Sequence, residues 1–358
     1  MNQKLSNFAA HLRESIASGF PNGDFESLAL KLFTLQFENN LAYRKLCEAR
    51  KITPQIIEHW TQIPFVPTSA FKELELTSLA PNERAAVFYS SGTTEQKPSR
   101  HFHNTESLAL YETSLWRWFE QNVSENPEAK IVKPELICLT PSPELAPNSS
   151  LIHMFETVRQ KMDSPETIFT GEIGDDKTWN LDFEKTLTAI QSAIKHQASN
   201  LILGTAFSFV HLLDFLAEKN LKLHLPENSR VMETGGYKNR SRTMPKDELH
   251  FLIEKFLGVP RENIICEYGM SELSSQAYAP RAGKFQFPPW ARVQIISPET
   301  GREVAEGETG LIRIFDLANV FSVAAIQTED LGVRRGDGFE LVGRAQLAEP
   351  RGCSLMTA

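Results

Sequence analysis

The sequence predicts an α/β fold in which parallel sheets are flanked by helices and a small antiparallel β subdomain is attached. Short apolar runs (AAVFY, ELICLT, NLILGT, RVMET, NIICEY) alternate with stretches of helical periodicity between residues 86 and 268. Strands that alternate with helices of this length form parallel sheets covered on both faces. From Arg292 the texture changes to VQIIS, GLIRIF and GFELVG, parted by the turns PETG, EGETG and RRGDG, which reads as antiparallel. With 358 residues, 41% hydrophobic and 23% charged, the chain can bury a large core.

In chain order, Leu28, Leu32, Leu35, Leu41 and Leu46 predict one long helix over 25–50. Thr53-Pro54 reads as an N-cap with proline at the first helical position, and IPFVPTSAF as a connector. AAVFY is a strand running into SSGTT. Helices are expected over 104–120, 151–162, 182–197, 206–219 and 244–257, with ELICLT, NLILGT, RVMETGG and NIICEYG as the strands between them. No internal repeat or low-complexity tract interrupts this order. The expected organisation is a body over 1–344, β-rich from about 290, and a short flexible tail over 345–358.

Composition narrows the function. A formal charge of −8 and a pI of about 5.7, without a basic stripe, argue against a nucleic-acid partner. The start MNQKLSNFAAHLRES lacks a signal-peptide core and no apolar run is long enough to span a bilayer, so a cytoplasmic chain is expected. Cys47, Cys138, Cys266 and Cys353 contain no C-x-x-C pair, so neither a disulfide framework nor a structural zinc site is expected. Cys138 and Cys266 lie in strand-like runs and read as core thiols. Cys353 sits between Gly352 and Ser354, near the last residue.

Ligands in such folds bind beyond the carboxyl ends of parallel strands, where three polar or glycine-containing segments fall (SSGTT, ETGGY and EYGMSE); a fourth candidate lies in the β-rich region. Ser90, Ser91, Gly92, Thr93 and Thr94 offer N–H and hydroxyl donors to a polyphosphate, and Lys97 a point charge. The G-x-x-x-x-G-K-[ST] phosphate loop is not present. Gly235 and Gly236, before Tyr237, permit close approach of a flat ligand. In Tyr268-Gly269-Met270-Ser271-Glu272 the tyrosine suits a purine face and Glu272 a magnesium ion. Asp330 offers a carboxylate to ribose hydroxyls, upstream of an Asp337-Gly338 hairpin turn and Arg344. Taken singly, the Ser/Gly/Thr segment reads more readily as an ordinary loop and the glycine pair as a plain turn, and the other two have a cap and a hairpin as their structural alternatives. His101, His103 and His153 read as structural.

In that order, YSSGTT, ETGGY, EYGMSE and TEDL…DG…GR resemble the signature segments of the adenylate-forming superfamily, over about Phe88 to Arg344. The resemblance implies an adenylate-forming domain over 1–344 that uses ATP and Mg2+. Ser90 to Thr94 would cradle the phosphates, with Gly235, Gly236, Tyr237 and Tyr268 at the adenine. Glu272 would bind magnesium and Asp330 the ribose, with Arg344 at the hinge. The sequence departs from the pattern at Glu95 and Glu329, where glycine is usual, and in EQKPSR, which displaces Lys97. Superfamily members continue into a lid domain bearing a lysine. Only 14 residues, Ala345 to Ala358, follow Arg344, so the lid is expected to be absent; Arg100, Lys238 and Arg240 are candidate substitute cations.

The tail Arg351-Gly352-Cys353-Ser354-Leu355, the IPFVP connector and ETGGYKNRSR are similar to a narrower family. These are the acyl-protein synthetases of the bacterial luciferase system (long-chain-fatty-acid–protein ligases, LuxE type). That likeness implies fatty-acid activation to acyl-AMP, transfer to Cys353 as a thioester, and delivery to an acyl reductase. A thiolate is the competent nucleophile for such a step, and a tethered tail supplies its effective concentration. A coenzyme A or carrier-protein ligase, and an inactive adenylate-binding scaffold, are the alternatives.

Overall fold

A computed structural model describes residues 2–21, 23–90, 97–123, 134–164, 166–175, 178–236, 241–280 and 283–345. Its first sheet has the order β11-β10-β9-β8-β4-β5. The strands β4 (Glu135–Cys138), β5 (Thr167–Phe169), β8 (Asn200–Thr205), β9 (Arg230–Thr234) and β10 (Ile264–Tyr268) run parallel, and β11 (Ala277–Pro280) returns antiparallel along β10. Because side chains alternate across a strand, each strand feeds two cores. Ile137, Ile202, Val231 and Ile264 pack with α7 (Phe183–His196), α8 (Ala206–Glu218) and α9 (Lys246–Leu257). Leu136, Cys138, Leu201, Leu203, Met232 and Ile265 meet α5 (Thr105–Val123) and α6 (Ser150–Met162) on the other face. The helices α5 to α9 and the strands β4, β8, β9 and β10 match the expected segments to within a few residues.

The second sheet is antiparallel apart from one edge. It joins β12 (Ala291–Ile296), β13 (Thr309–Asp316), β14 (Ala325–Arg335) and β15 (Gly338–Arg344), with β1 (Val66–Pro67) parallel to β14 through Val66↔Ile326. Its apolar face is covered by α1 (Gln3–Ser18), α2 (Phe25–Asn39) and α3 (Leu41–Ala49). The buried amide of Gln36 fastens α2 to this layer, donating to the Asn319 carbonyl at 2.7 Å while its Oε1 accepts from Ala324 N at 3.1 Å. Two smaller pairs, β2 (Ala86–Tyr89) with β3 (Arg100–His103) and β6 (Gly171–Ile173) with β7 (Trp179–Leu181), and the single-turn α4 (Ala70–Glu73), complete the described elements.

Several expectations are corrected. The long helix over 25–50 is two helices, because Asn40 turns extended (φ −109°, ψ 100°) and its side chain accepts from Tyr43 N at 3.1 Å, capping α3. Thr53-Pro54 opens only a turn, closed by Ile56 N to Thr53 O at 3.2 Å. The hairpin loop is Gly336-Asp337, one residue earlier than expected, since Arg335 pairs with Gly338 and Gly336 takes the positive φ of 59°. Outside the sequence reading lay α1, α4, the short strands β1, β3, β5, β6, β7 and β11, and the whole of β14, whose polar Thr328-Glu329-Asp330 hides its alternation.

Candidate active site

The β2–β3 hairpin brings Ser90 beside Ser99. Ser99 N donates to Ser90 Oγ at 2.9 Å, and Ser90 N to the Ser99 carbonyl at 3.2 Å. This closes the mouth of the loop whose residues Ser91, Gly92, Thr93 and Thr94 lie outside the described residues, as do Tyr237 and Cys353. From Ser99 the contacts lead directly to the third motif. Ser99 Oγ donates to Glu272 Oε1 at 2.5 Å, and Ser271 Oγ to Glu272 Oε2 at 2.9 Å. Each Glu272 oxygen accepts one hydroxyl and retains acceptor capacity toward a cation. Asn319 Nδ2 holds the Glu272 carbonyl at 2.8 Å, and Glu272 and Ser271 are both buried.

The ends of β9 and β10 lie side by side, Thr234 opposite Glu267, and the Thr234 hydroxyl donates to the Glu267 carboxylate. Beyond Thr234, Gly235 takes φ +70°, and a Cβ on Gly235 or Gly236 would meet nothing within 4 Å. That is open space next to a backbone free of side chains. Gly269 has the opposite constraint, since a Cβ there would lie 2.4 Å from Glu267 Oε1.

Tyr268 is buried among Phe285, Phe287 and Phe339, with ring centroids 5.9, 6.3 and 5.2 Å away. Its hydroxyl donates to Asp330 Oδ2 at 2.9 Å. Arg344, opposite Asp330 in the β14–β15 register, approaches Oδ1 at 3.9 Å but is 80% exposed. Burial raises the Asp330 pKa, and the Tyr268 hydrogen bond and Arg344 work against that rise. Lys97 lies apart, paired with Glu73 at 3.6 Å in solvent.

Three histidines, His101, His103 and His153, lie behind the site. His101 donates from Nδ1 to the Ser271 carbonyl at 2.8 Å, and burial pushes its pKa down to about 4, which keeps it neutral. His103 lies tilted against it with ring centroids 4.2 Å apart and Nδ1 3.2 Å from Ser107 Oγ. His153 pairs with Glu112 at 3.1 Å. Cys47, Cys138 and Cys266 are buried core thiols.

Sequence reasoning missed Ser99, which carries no motif and reaches Glu272 only through strand pairing. It also missed Asp316, fully buried below the Ser271-Glu272 turn, which accepts from Ser274 N at 2.9 Å and from Ser275 N and Oγ at 2.8 and 2.7 Å. A cavity of about 360 Å³ lined by Pro143, Glu144, Glu156, Arg159, Ser164, Thr167 and Phe169 touches none of the site residues.

This architecture is shared with 2-hydroxyisobutyryl-CoA ligase. Its structure in the postadenylation state with 2-HIB-AMP superposes with a TM-score of 0.66 at 13% identity, covering 91% of this chain and 69% of that one. An open form with 2-HIB-AMP and CoA gives 0.64 at 14% identity, covering 91% and 76%. The fold is that of the adenylate-forming ligases. The family model for acyl-protein synthetase, LuxE, matches residues 24–358, and the chain belongs to that family; it is an enzyme of the ligase class. Relatives include the long-chain-fatty-acid–luciferin-component ligases of Vibrio harveyi, 26% identical over 339 residues (90% of this chain, 84% of that protein), and of Aliivibrio fischeri, 24% identical over 351 residues (93% and 87%). Among the described residues no helix is long and apolar enough to cross a membrane.

Proposed function

We propose that this chain activates a long-chain fatty acid with ATP and takes the acyl group onto its own Cys353 for delivery to a partner acyl reductase. The observation that carries the reading is the meeting of four segments distant in sequence. Ser99 joins the 90–99 hairpin to Glu272, Glu267 joins β10 to the end of β9, and Tyr268 joins β10 to Asp330 on β14. Family membership and the names of the relatives supply the acid and the protein acceptor.

In this reading Ser90 to Thr94 line the phosphates and Gly235, Gly236 and Tyr237 the base. Tyr268 aims Asp330 at the ribose hydroxyls. Glu272, steadied by Ser99 and Ser271, would hold a magnesium ion that neutralises phosphate charge when bound. The fatty carboxylate attacks the α-phosphorus, pyrophosphate leaves, and the mixed anhydride forms. The Cys353 thiolate then attacks the acyl carbon and AMP departs, leaving a thioester. Positioning and charge neutralisation supply most of the acceleration.

The test incubates the protein with ATP, Mg2+ and labelled fatty acids of several lengths and follows pyrophosphate and the acylated C-terminal peptide by mass spectrometry. Acyl label on the Cys353 peptide, lost in Cys353→Ser while acyl-AMP still forms, is the expected result. Undiminished transfer to coenzyme A in Cys353→Ser, with no peptide label in the parent, identifies a coenzyme A ligase instead. No acid-dependent pyrophosphate release, with or without an acyl reductase, identifies a scaffold.

A further inference from the structure

Behind the end of β9, three metal-ligating side chains from three elements converge in the core: Glu233 on β9, Cys266 on β10 and His250 on α9. We propose that Glu233, His250 and Cys266 form a binding site for a zinc ion. His250 Nε2 lies 3.6 Å from Glu233 Oε1 and 3.7 Å from Cys266 Sγ, and all three donor atoms fall within 4.8 Å of one another. A tetrahedral zinc with Zn–S of ~2.3 Å and Zn–N or Zn–O of ~2.0 Å sets its ligand atoms roughly 3.3–3.7 Å apart. The two distances measured from His250 are therefore those of ligands around one ion, and the third pair lies within 4.8 Å.

The cysteine pattern gave no sign of this site because only one of its ligands is a cysteine and the others come from a strand and a helix. All three residues are buried, at 6% exposure for Glu233 and 1% each for His250 and Cys266. A carboxylate removed from water this far needs a cationic partner. Lys246, at the first turn of α9, is a competitor for the sulfur: its ammonium lies beside Cys266 and 4.6 Å above the Phe285 ring. On zinc binding the S–H bond breaks, its proton goes to solvent and a Zn–S bond forms, so that Lys246 then faces a zinc-bound thiolate as its hydrogen-bond donor. Three protein ligands leave the fourth position to water.

The site's position gives it a consequence. Glu233 is two residues before Gly235 and Cys266 two before Tyr268, so the ion ties the ends of both strands to α9. It would hold the Gly235-Gly236 turn and the Tyr268 backbone in place as a structural ion. No reacting atom touches it.

The test uses the full chain, purified without chelator, with metal content measured by mass spectrometry and zinc affinity by competition after chelator treatment. About one zinc per chain is expected, with affinity at least tenfold weaker in Cys266→Ser and in His250→Gln, and unchanged in Cys353→Ser. Cobalt replacement should give a near-ultraviolet thiolate charge-transfer band that Cys266→Ser lacks. That readout on the parent protein stands even where a variant fails to fold. Parent protein that neither carries nor takes up zinc, or cobalt binding without a thiolate band, overturns the proposal and leaves the cluster to the His250–Glu233 and His250–Cys266 contacts. Binding lost in Cys353→Ser but kept in Cys266→Ser overturns it too, by moving the metal to the tail.

Discussion

The Tyr268 hydroxyl donates to Asp330 at 2.9 Å, tying the last residue of a parallel strand in one sheet to the middle of an antiparallel strand in the other. Residues 62 positions apart thus share one hydrogen bond, and that bond orients the carboxylate proposed to bind a ribose.

Tyr268→Phe removes the donor and leaves the largely buried Asp330 carboxylate short of a partner. Loss of a hydrogen bond to a charged acceptor costs about 1.5–3 kcal/mol, so unfolding free energy in urea should drop by that order. The KM for ATP should rise roughly tenfold, because the carboxylate loses its orientation. Asp330→Asn should raise that KM more while unfolding changes less, since the amide still accepts from Tyr268. Equal effects of the two substitutions on both readouts would count against the ribose assignment.

Ser99 is tested through magnesium. Ser99→Ala removes the 2.5 Å hydrogen bond to Glu272 and should raise the magnesium concentration for half-maximal pyrophosphate release by about 10–100-fold, the usual consequence of losing a group that orients a ligand. Glu272→Gln should abolish the magnesium response altogether. A Ser99→Ala enzyme with the parent magnesium curve would show that Glu272 does not bind the ion.

How much of this was legible in the sequence depends on where each residue gets its partner. The parallel sheet was readable because β4, β8, β9 and β10 are apolar on both faces, and β9 and β10 each end in a polar segment that builds the site. Asp330 was found as a motif but not as part of a strand, since Thr328-Glu329-Asp330 interrupts the apolar alternation of β14. Ser99 was invisible: its role comes from lying opposite Ser90 across a hairpin, and nothing local marks it. The break at Asn40 was missed because its asparagine caps one helix while the apolar period runs on through it.

Acid stability separates the buried histidines from the buried carboxylate. His101 is pushed down to about 4 and His103 well below its ordinary value, the latter by burial and by the neighbouring His101. Asp316 is pushed up to about 6 by burial. An unfolded histidine binds its proton near pH ~6.5, before the buried one can, so each imidazole's contribution is present above that pH and is lost as pH falls toward 4. Asp316 has the opposite sign. The folded chain takes its proton first, so its contribution grows as pH falls from about 6 toward 4. At ~1.4 kcal/mol per pH unit, His101 and Asp316 contribute comparable amounts, about 3 kcal/mol each, and His103 decides the sign. Urea unfolding should therefore show stability falling from pH 6.5 to 4.5, and His103→Gln should flatten that slope. A parent protein that grows more stable with acid, or an unchanged slope in His103→Gln, contradicts the neutral buried pair.

The β14–β15 hairpin offers a steric route to the same site. Gly338 closes the loop opposite Arg335, and a Cβ there would lie 2.3 Å from the Phe285 carbonyl oxygen. That oxygen accepts from Phe339 N at 3.1 Å, and Phe285 N donates back to the Phe339 carbonyl at 2.7 Å, so the methyl group would push against a paired backbone that cannot swing aside. Phe339 is fully buried, stacked on Phe285 and edge-on to Tyr268 at 5.2 Å. Gly338→Ala should thus destabilise by about 1–3 kcal/mol, as overpacking does, and should also weaken ATP binding by displacing the wall around Tyr268. Gly336→Ala is the control: its φ of 59° disfavours a side chain, but its Cβ would meet only Lys284 Nζ at 3.6 Å, so roughly 1–2 kcal/mol of backbone strain is expected without a change in KM for ATP. If both substitutions leave KM untouched while lowering stability, the Phe285–Phe339 pair supports the sheet alone and not the Tyr268–Asp330 contact.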